Sequence, residues 1–146
     1  MNSELIAALF VRADKSLEDA HYLHFERKSY ESAVSRAYYA MYYAAETCLL
    51  SIDETVSSHK RLIAQFGKHF VKAGLIEPEY GRMLATVYQR RRLGDHEISY
   101  TLSKPEAAEA LRNAASFVQR TRTHLFAQLT PSAPNPRPSI PKTTKP

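Results

Sequence analysis

The sequence predicts an all-α protein, an antiparallel up-and-down helical bundle of about five helices. Three observations carry this. Apolar residues recur at steps of three and four through most of the first 129 positions. No run alternates strictly between apolar and polar residues, and no Asn-Gly or Asp-Gly pair marks a hairpin turn.

The helices follow in order. Ser3 is a good N-cap, and Leu5, Leu9, Ala13, Leu17 and Ala20 repeat at helical spacing to about Glu26. Ser29 opens a second helix to about Ser51, with Val34, Ala37, Met41, Ala44 and Cys48 spaced alternately by three and four. Ser57 or Ser58 caps a third, which sets Leu62, Phe66 and Phe70 on one face and stops at Gly74. A fourth starts near Glu77 and runs to about Arg92. The fifth opens on Ser103-Lys104-Pro105-Glu106, a capping-box pattern with proline in the first turn, and continues through Leu111, Val118 and Leu125 to about Leu129. The short links imply antiparallel neighbours.

The chain has 146 residues, 44% hydrophobic and 24% charged, enough for one domain that buries about two-thirds of its unfolded surface. The single Cys48 excludes a disulfide framework and paired-cysteine zinc sites. No run approaches the ~18 apolar residues of a membrane span. The opening MNSELIAALF lacks the basic flank of a secretion signal, so a soluble cytoplasmic protein is expected. Residues 130–146 carry six of the eight prolines and no aromatic residue, which predicts a disordered, extended tail beyond a domain spanning 1–129. The net charge of +5 divides unevenly. Arg137, Lys142 and Lys145 lie in the acid-free tail; without them seventeen basic residues face fifteen acidic ones, about +2, too little to argue for nucleic acid by itself.

The second helix is apolar nearly all round, because Tyr38, Tyr39, Tyr42 and Tyr43 add an aromatic face to its stripe. Such a helix needs cover on several sides. A second copy of the chain would supply it, and tyrosine suits interfaces by burying ring area while its hydroxyl keeps a partner. A homodimer formed mainly through this helix is therefore expected; the other reading makes it simply the central core helix.

Six histidines are available, but no pair has convincing metal spacing and no metal or cofactor is expected. The absence of GxGxxG, GxxxxGK[ST] and GxSxG removes the common phosphate-loop and serine-hydrolase readings. The stretch Tyr88-Gln89-Arg90-Arg91-Arg92-Leu93-Gly94-Asp95-His96-Glu97 stands apart. On the fourth helix the apolar stripe Tyr80, Leu84, Val87 steps next onto Arg91, while Arg92 turns about 100° away. An arginine aimed at a packed surface is costly unless an anion or carboxylate meets it. Gly94 would let the backbone turn past the helix end, with Asp95 and His96 following at once. Histidine can move a proton near neutral pH, arginine can bind a phosphate bidentately, and the 2′-hydroxyl of RNA can act as internal nucleophile. The same residues also fit a solvated C-terminal helix cap favoured by the dipole.

Two long blocks carry a resemblance. Residues 32–45 (SAVSRAYYAMYYAA) and 58–75 (SHKRLIAQFGKHFVKAGL) resemble the second and third helices of the HEPN family (higher eukaryotes and prokaryotes nucleotide-binding domain), in its small standalone prokaryotic branch. The resemblance covers roughly residues 5–126. It implies a helical bundle that dimerises and, in many members, a metal-independent endoribonuclease, often a toxin, whose motif is Arg, four to six residues, then His. In those members two copies of the motif meet across the dimer. The motif maps to Arg91 and His96, with Arg90 the alternative at one residue longer spacing. Arg92 stands where the family commonly has a small polar residue. The branch often has tyrosine at the histidine position; this chain has His96.

The resemblance also implies RNA as substrate and a minimal nucleotidyltransferase as antitoxin partner, which in some pairs adenylylates a tyrosine two residues after the histidine; here that position is Ile98, and the nearest tyrosine is Tyr100. Arg36 and His59 fall at positions common in this branch. Arg36 would line the dimer cleft beside Arg91 or pair with Glu46 or Asp95. His59 would serve as a first-turn hydrogen-bonding residue or as a catalyst. Asp95 would orient His96 or hold Arg91. The alternative to a nuclease is a non-catalytic module that binds a nucleotide or the nucleotidyltransferase; the third reading is a plain dimerisation scaffold.

Overall fold

The computed structural model describes residues 2–96 and 101–129, the side chains of 95, 96 and 129 excepted. Five helices make up the described chain, and no strand occurs among the described residues. Helix α1 spans Ser3–His21 and widens into a π-helical turn at Tyr22–Glu26. Its N-cap is one residue earlier than expected: Asn2 Oδ1 accepts from the Leu5 amide at 3.0 Å, and Ser3 is the first helical residue. Lys28, at φ +54°, turns the chain into α2, Tyr30–Ser51, and Asp53, at φ +60°, turns it out again.

Helix α3 spans His59–Phe66 and continues as a π-helical turn, Gly67–Val71. Ser58 is its cap, with Oγ accepting from the Arg61 amide at 3.1 Å, which decides between the two serines. Gly74, at φ +79°, closes this segment in the left-handed conformation, and the Leu75 and Ile76 amides reach back to the Phe70 carbonyl. Helix α4 spans Pro78–His96. Helix α5, Lys104–Leu129, starts on a reciprocal capping box: the Ser103 amide donates to Glu106 Oε1 at 3.0 Å and the Glu106 amide to Ser103 Oγ at 3.2 Å.

Helix α2 is the centre of the bundle, with α1, α5, α4 and α3 all packed against it. Its buried positions are mostly small, including Ala33, Ala37, Ala40, Ala44 and Ala45, which lets neighbouring helices approach closely. The large side chains come from around it. Phe66 and Phe70 stack at 5.6 Å, Phe66 meets Phe117 at 5.2 Å, and Leu84, Val87 and Leu125 complete the core. Each such side chain contributes about 1.5–3 kcal/mol on burial. Cys48 is wholly enclosed, and burial pushes its thiol pKa up to about 12. Thus the apolar girth of α2 finds most of its cover within one chain. Among the described residues no helix is long and apolar enough to cross a membrane.

Candidate functional site

The site grows from the buried stripe of α4. Leu84 and Val87 are fully enclosed, and one further turn along the same face stands Arg91, half-buried. Its guanidinium carbon lies 5.7 Å from the centre of the Tyr38 ring and 5.1 Å from that of Tyr39. The aromatic faces are electron-rich, so they lower the cost of holding a cation next to the core, each such contact contributing about 0.5–2 kcal/mol.

Arg36 approaches the same ring from α2 itself, its guanidinium carbon 5.1 Å from the Tyr39 centre. Tyr39 therefore carries two guanidinium groups from two helices. The carboxylate of Glu46 is not the partner of Arg36: it lies ten residues along the same helix, about 15 Å by helical rise. Its cationic neighbour is Arg12, and burial nonetheless raises the Glu46 pKa.

The three consecutive arginines part ways. Arg90 turns toward α5, where Nη1 pairs with Glu109 at 2.8 Å and donates to the Glu106 carbonyl at 3.1 Å. Arg92 is exposed and leans on Tyr88 at 5.9 Å. Only Arg91 joins the tyrosines of α2.

His59, the first residue of α3, completes the cluster. Its Nδ1 lies 2.8 Å from the Tyr38 hydroxyl. Its ring packs 4.9 Å from Tyr42 and 5.5 Å from Tyr38, and stacks on Tyr88 at 5.9 Å. Burial lowers the His59 pKa, and the Arg91 charge lowers it further, so the imidazole is held neutral near pH 7. Burial raises the pKa of the Tyr38 hydroxyl, which keeps its proton. Tyr88 and the Tyr38–His59 bond are the features that sequence reasoning missed. The spacing of three between Tyr88 and Arg91 on one helix was a usable signal; the contact with α3 was not local and left none.

Of the tyrosines expected at a dimer contact, Tyr38 is wholly buried within the single chain, because α3 and α4 close over it; its ring is not available to a partner. Tyr39, Tyr42 and Tyr43 are partly exposed, Tyr43 under the Arg12 guanidinium at 6.0 Å.

Helix α4 does not end near Arg92 as expected. It continues through Gly94 to His96, so Arg91 and His96 share one unbroken helix. Gly94 serves close packing instead of a turn: a Cβ there would sit 3.2 Å from Leu102 Cδ1 and 3.3 Å from Glu31 Cγ. Glu31 also accepts from the Leu102 amide at 3.3 Å, tying the start of α2 to the segment that leads into α5. The side chains of Asp95 and His96, together with Ile98, Tyr100 and the tail 130–146, lie outside the described residues.

The remaining histidines pack. His24 is buried against Phe25 and Tyr30, His69 bonds Gln65 at 2.9 Å, His21 stacks on Phe25 and His124 meets Phe70 edge-on. Among the described residues no three His, Cys, Asp or Glu side chains stand together as a metal site.

An all-α bundle with a central, small-residue helix and an arginine–tyrosine–histidine cluster at one side defines the class. Residues 6–124 match the HEPN domain model, and the chain belongs to the HEPN domain family. It is 38% identical over 125 residues to the protein named "Putative toxin MJ0605" of Methanocaldococcus jannaschii, covering 84% of this chain and 90% of that one. A second protein of that organism, "Putative toxin MJ0142", is 28% identical over 82% of this chain and 81% of its own. A "UPF0332 protein" of Thermotoga maritima is 30% identical over 73% and 80%.

Proposed function

We infer that the chain is a metal-independent RNA endonuclease and the toxin of a toxin–antitoxin pair, acting in the cytoplasm as a homodimer. The observation that carries this is the placement of Arg91 against Tyr38 and Tyr39, on the buried face of α4, five positions before His96 on the same helix. The toxin names of two relatives support the biological role. The partly exposed Tyr39, Tyr42 and Tyr43 support a dimer contact along α2 that brings two Arg91–His96 pairs together.

In this reading Arg91 holds the non-bridging oxygens of the scissile phosphate and offsets charge that grows as the phosphorus becomes five-coordinate. His96 accepts the proton of the 2′-hydroxyl as that oxygen attacks phosphorus. The 5′-oxygen leaves with a proton, supplied by the second copy's histidine or by water, and a 2′,3′-cyclic phosphate remains. A nucleotidyltransferase-type protein is the matching antitoxin partner.

The test is cleavage of a labelled RNA in EDTA by the wild type, Arg91→Ala and His96→Ala, with the mass in solution measured alongside. Cleavage by the wild type alone, ending in a cyclic phosphate, supports the assignment. Unchanged cleavage by His96→Ala would remove it, and a monomeric wild-type mass would remove the composite site.

The second reading, a non-catalytic module, draws on a different observation. Arg36 and Arg91 on one Tyr39 ring offer two cations and a stacking surface for a nucleotide or a nucleotidyltransferase, with no histidine required. It predicts tight binding without cleavage above background.

A further inference from the structure

His59 and Arg91 lie against the same two rings. The imidazole centre is 5.5 Å from Tyr38 and 5.9 Å from Tyr39, and the guanidinium carbon is 5.7 Å and 5.1 Å from them. The imidazole is held by three tyrosines: Tyr88 stacks on it, Tyr42 packs against it, and the Tyr38 hydroxyl meets Nδ1 at 2.8 Å.

The direction of that hydrogen bond sets what the other nitrogen can do. Tyr38 is fully buried and retains its hydroxyl proton. Among the described residues Nδ1 of His59 is the acceptor that stands within reach of it. With the hydroxyl donating, Nδ1 is the unprotonated nitrogen of a neutral ring and the proton sits on Nε2. Nε2 is then the donor nitrogen of a neutral, partly buried side chain, and the Arg91 guanidinium stands against the same Tyr38 and Tyr39 rings. A charged imidazolium would repel Arg91; a neutral donor does not, so the two can share one anion.

We propose that His59 is a second anion-binding residue of the arginine–tyrosine–histidine cluster, its Nε2–H donating to the same phosphate that Arg91 engages, with Tyr38 as the positioning residue that sets the imidazole tautomer. This rests on the phosphodiester reading above for its ligand, but not on cleavage. The partly exposed rings of Tyr39, Tyr42 and Tyr88 stand 5.9, 4.9 and 5.9 Å from the imidazole centre and offer surfaces on which an adjacent base can stack, which suits a single-stranded segment rather than a duplex.

The experiment uses full-length protein labelled with ¹⁵N at histidine and an RNA oligonucleotide with 2′-O-methyl sugars throughout, which cannot be cleaved by its own 2′-oxygen. In the free protein the His59 signals should be those of the Nε2–H tautomer, and Tyr38→Phe should shift the Nδ1 resonance. On titration with the oligonucleotide, His59 Nε2 should move, and His59→Ala should weaken binding about tenfold. His59→Gln, whose amide can donate from a similar place, should restore most of that loss. A wild type that binds the oligonucleotide with unmoved His59 signals, or a His59→Ala variant of unchanged affinity, would overturn the proposal. So would a wild type that does not bind it. Cleavage of ordinary RNA is scored separately. Nuclease activity with a silent His59 leaves the endonuclease reading standing, whereas binding through His59 with no cleavage removes that reading and keeps this one.

Discussion

Arg90 Nη1 lies 2.8 Å from Glu109 Oε1 while also donating to the Glu106 carbonyl, so the middle of α4 is pinned to the first turns of α5. That relationship assigns the arginine run: one guanidinium ties two helices, the next enters the tyrosine cluster, and the third faces solvent. Arg90→Ala should lower stability by about 1 kcal/mol, since its own side chain is largely covered but Glu109 is half exposed. The melting temperature should fall by about 4 °C, and Arg92→Ala should leave it unchanged. Thermal melts of the two variants check this.

Arg91→Lys keeps the charge and loses the planar fork that engages two phosphate oxygens. RNA cleavage in EDTA should fall about a hundredfold, as when one donor to a developing oxyanion is removed. The melting temperature should change little, because the lysine stem can still cover Tyr38 and Tyr39. Single-turnover cleavage rates read this directly.

Two glycines of one segment should respond in opposite directions. Gly67 is helical with open space where a Cβ would go, so Gly67→Ala should stabilise by about 0.5–1 kcal/mol. Gly74 sits at φ +79°, so Gly74→Ala should destabilise by about 1 kcal/mol. Urea midpoints at constant m-value distinguish the two.

Acid should destabilise the fold beginning just below neutral pH. His24 is 2% exposed, its Nδ1 has no hydrogen-bond partner among the described residues, and burial, then Lys104, His21 and Lys28, lower its pKa. Its folded pKa is below the unfolded value near 6.5, so its contribution is fully present above that value and is lost as the pH falls through the folded one. His24→Phe should make the fall in stability shallower by at most about 1.4 kcal/mol per pH unit. Denaturant titrations at several pH values between 5 and 8 measure the slope.

Most of the fold was legible because its signals are local. Apolar steps of three and four, the Ser103–Glu106 pair and Gly74 each act within one or two turns, and each stands where its spacing indicates. The end of α4 was misjudged for a reason that is not local. Gly94 looks like a helix stop in one dimension, but Glu31 and Leu102 press on it from other parts of the chain, and its missing side chain is what lets them. The burial of Tyr38 was likewise not legible: the sequence displays the girth of α2, while the enclosure of that ring depends on where α3 and α4 fall. At the site, the direction of Arg91 toward a packed face followed from the α4 stripe alone. The involvement of His59 could not be read that way, since Tyr38 is 21 residues away.

The enclosure of Cys48 makes this thiol a clock for the whole molecule. With the sulfur wholly buried and its pKa near 12, almost none is thiolate at neutral pH, and alkylating reagents have no approach to it in the closed chain. Covalent capture must therefore wait until α2 parts from its neighbours. The labelling rate then counts openings of the bundle core one molecule at a time, with no added probe and no change to the sequence.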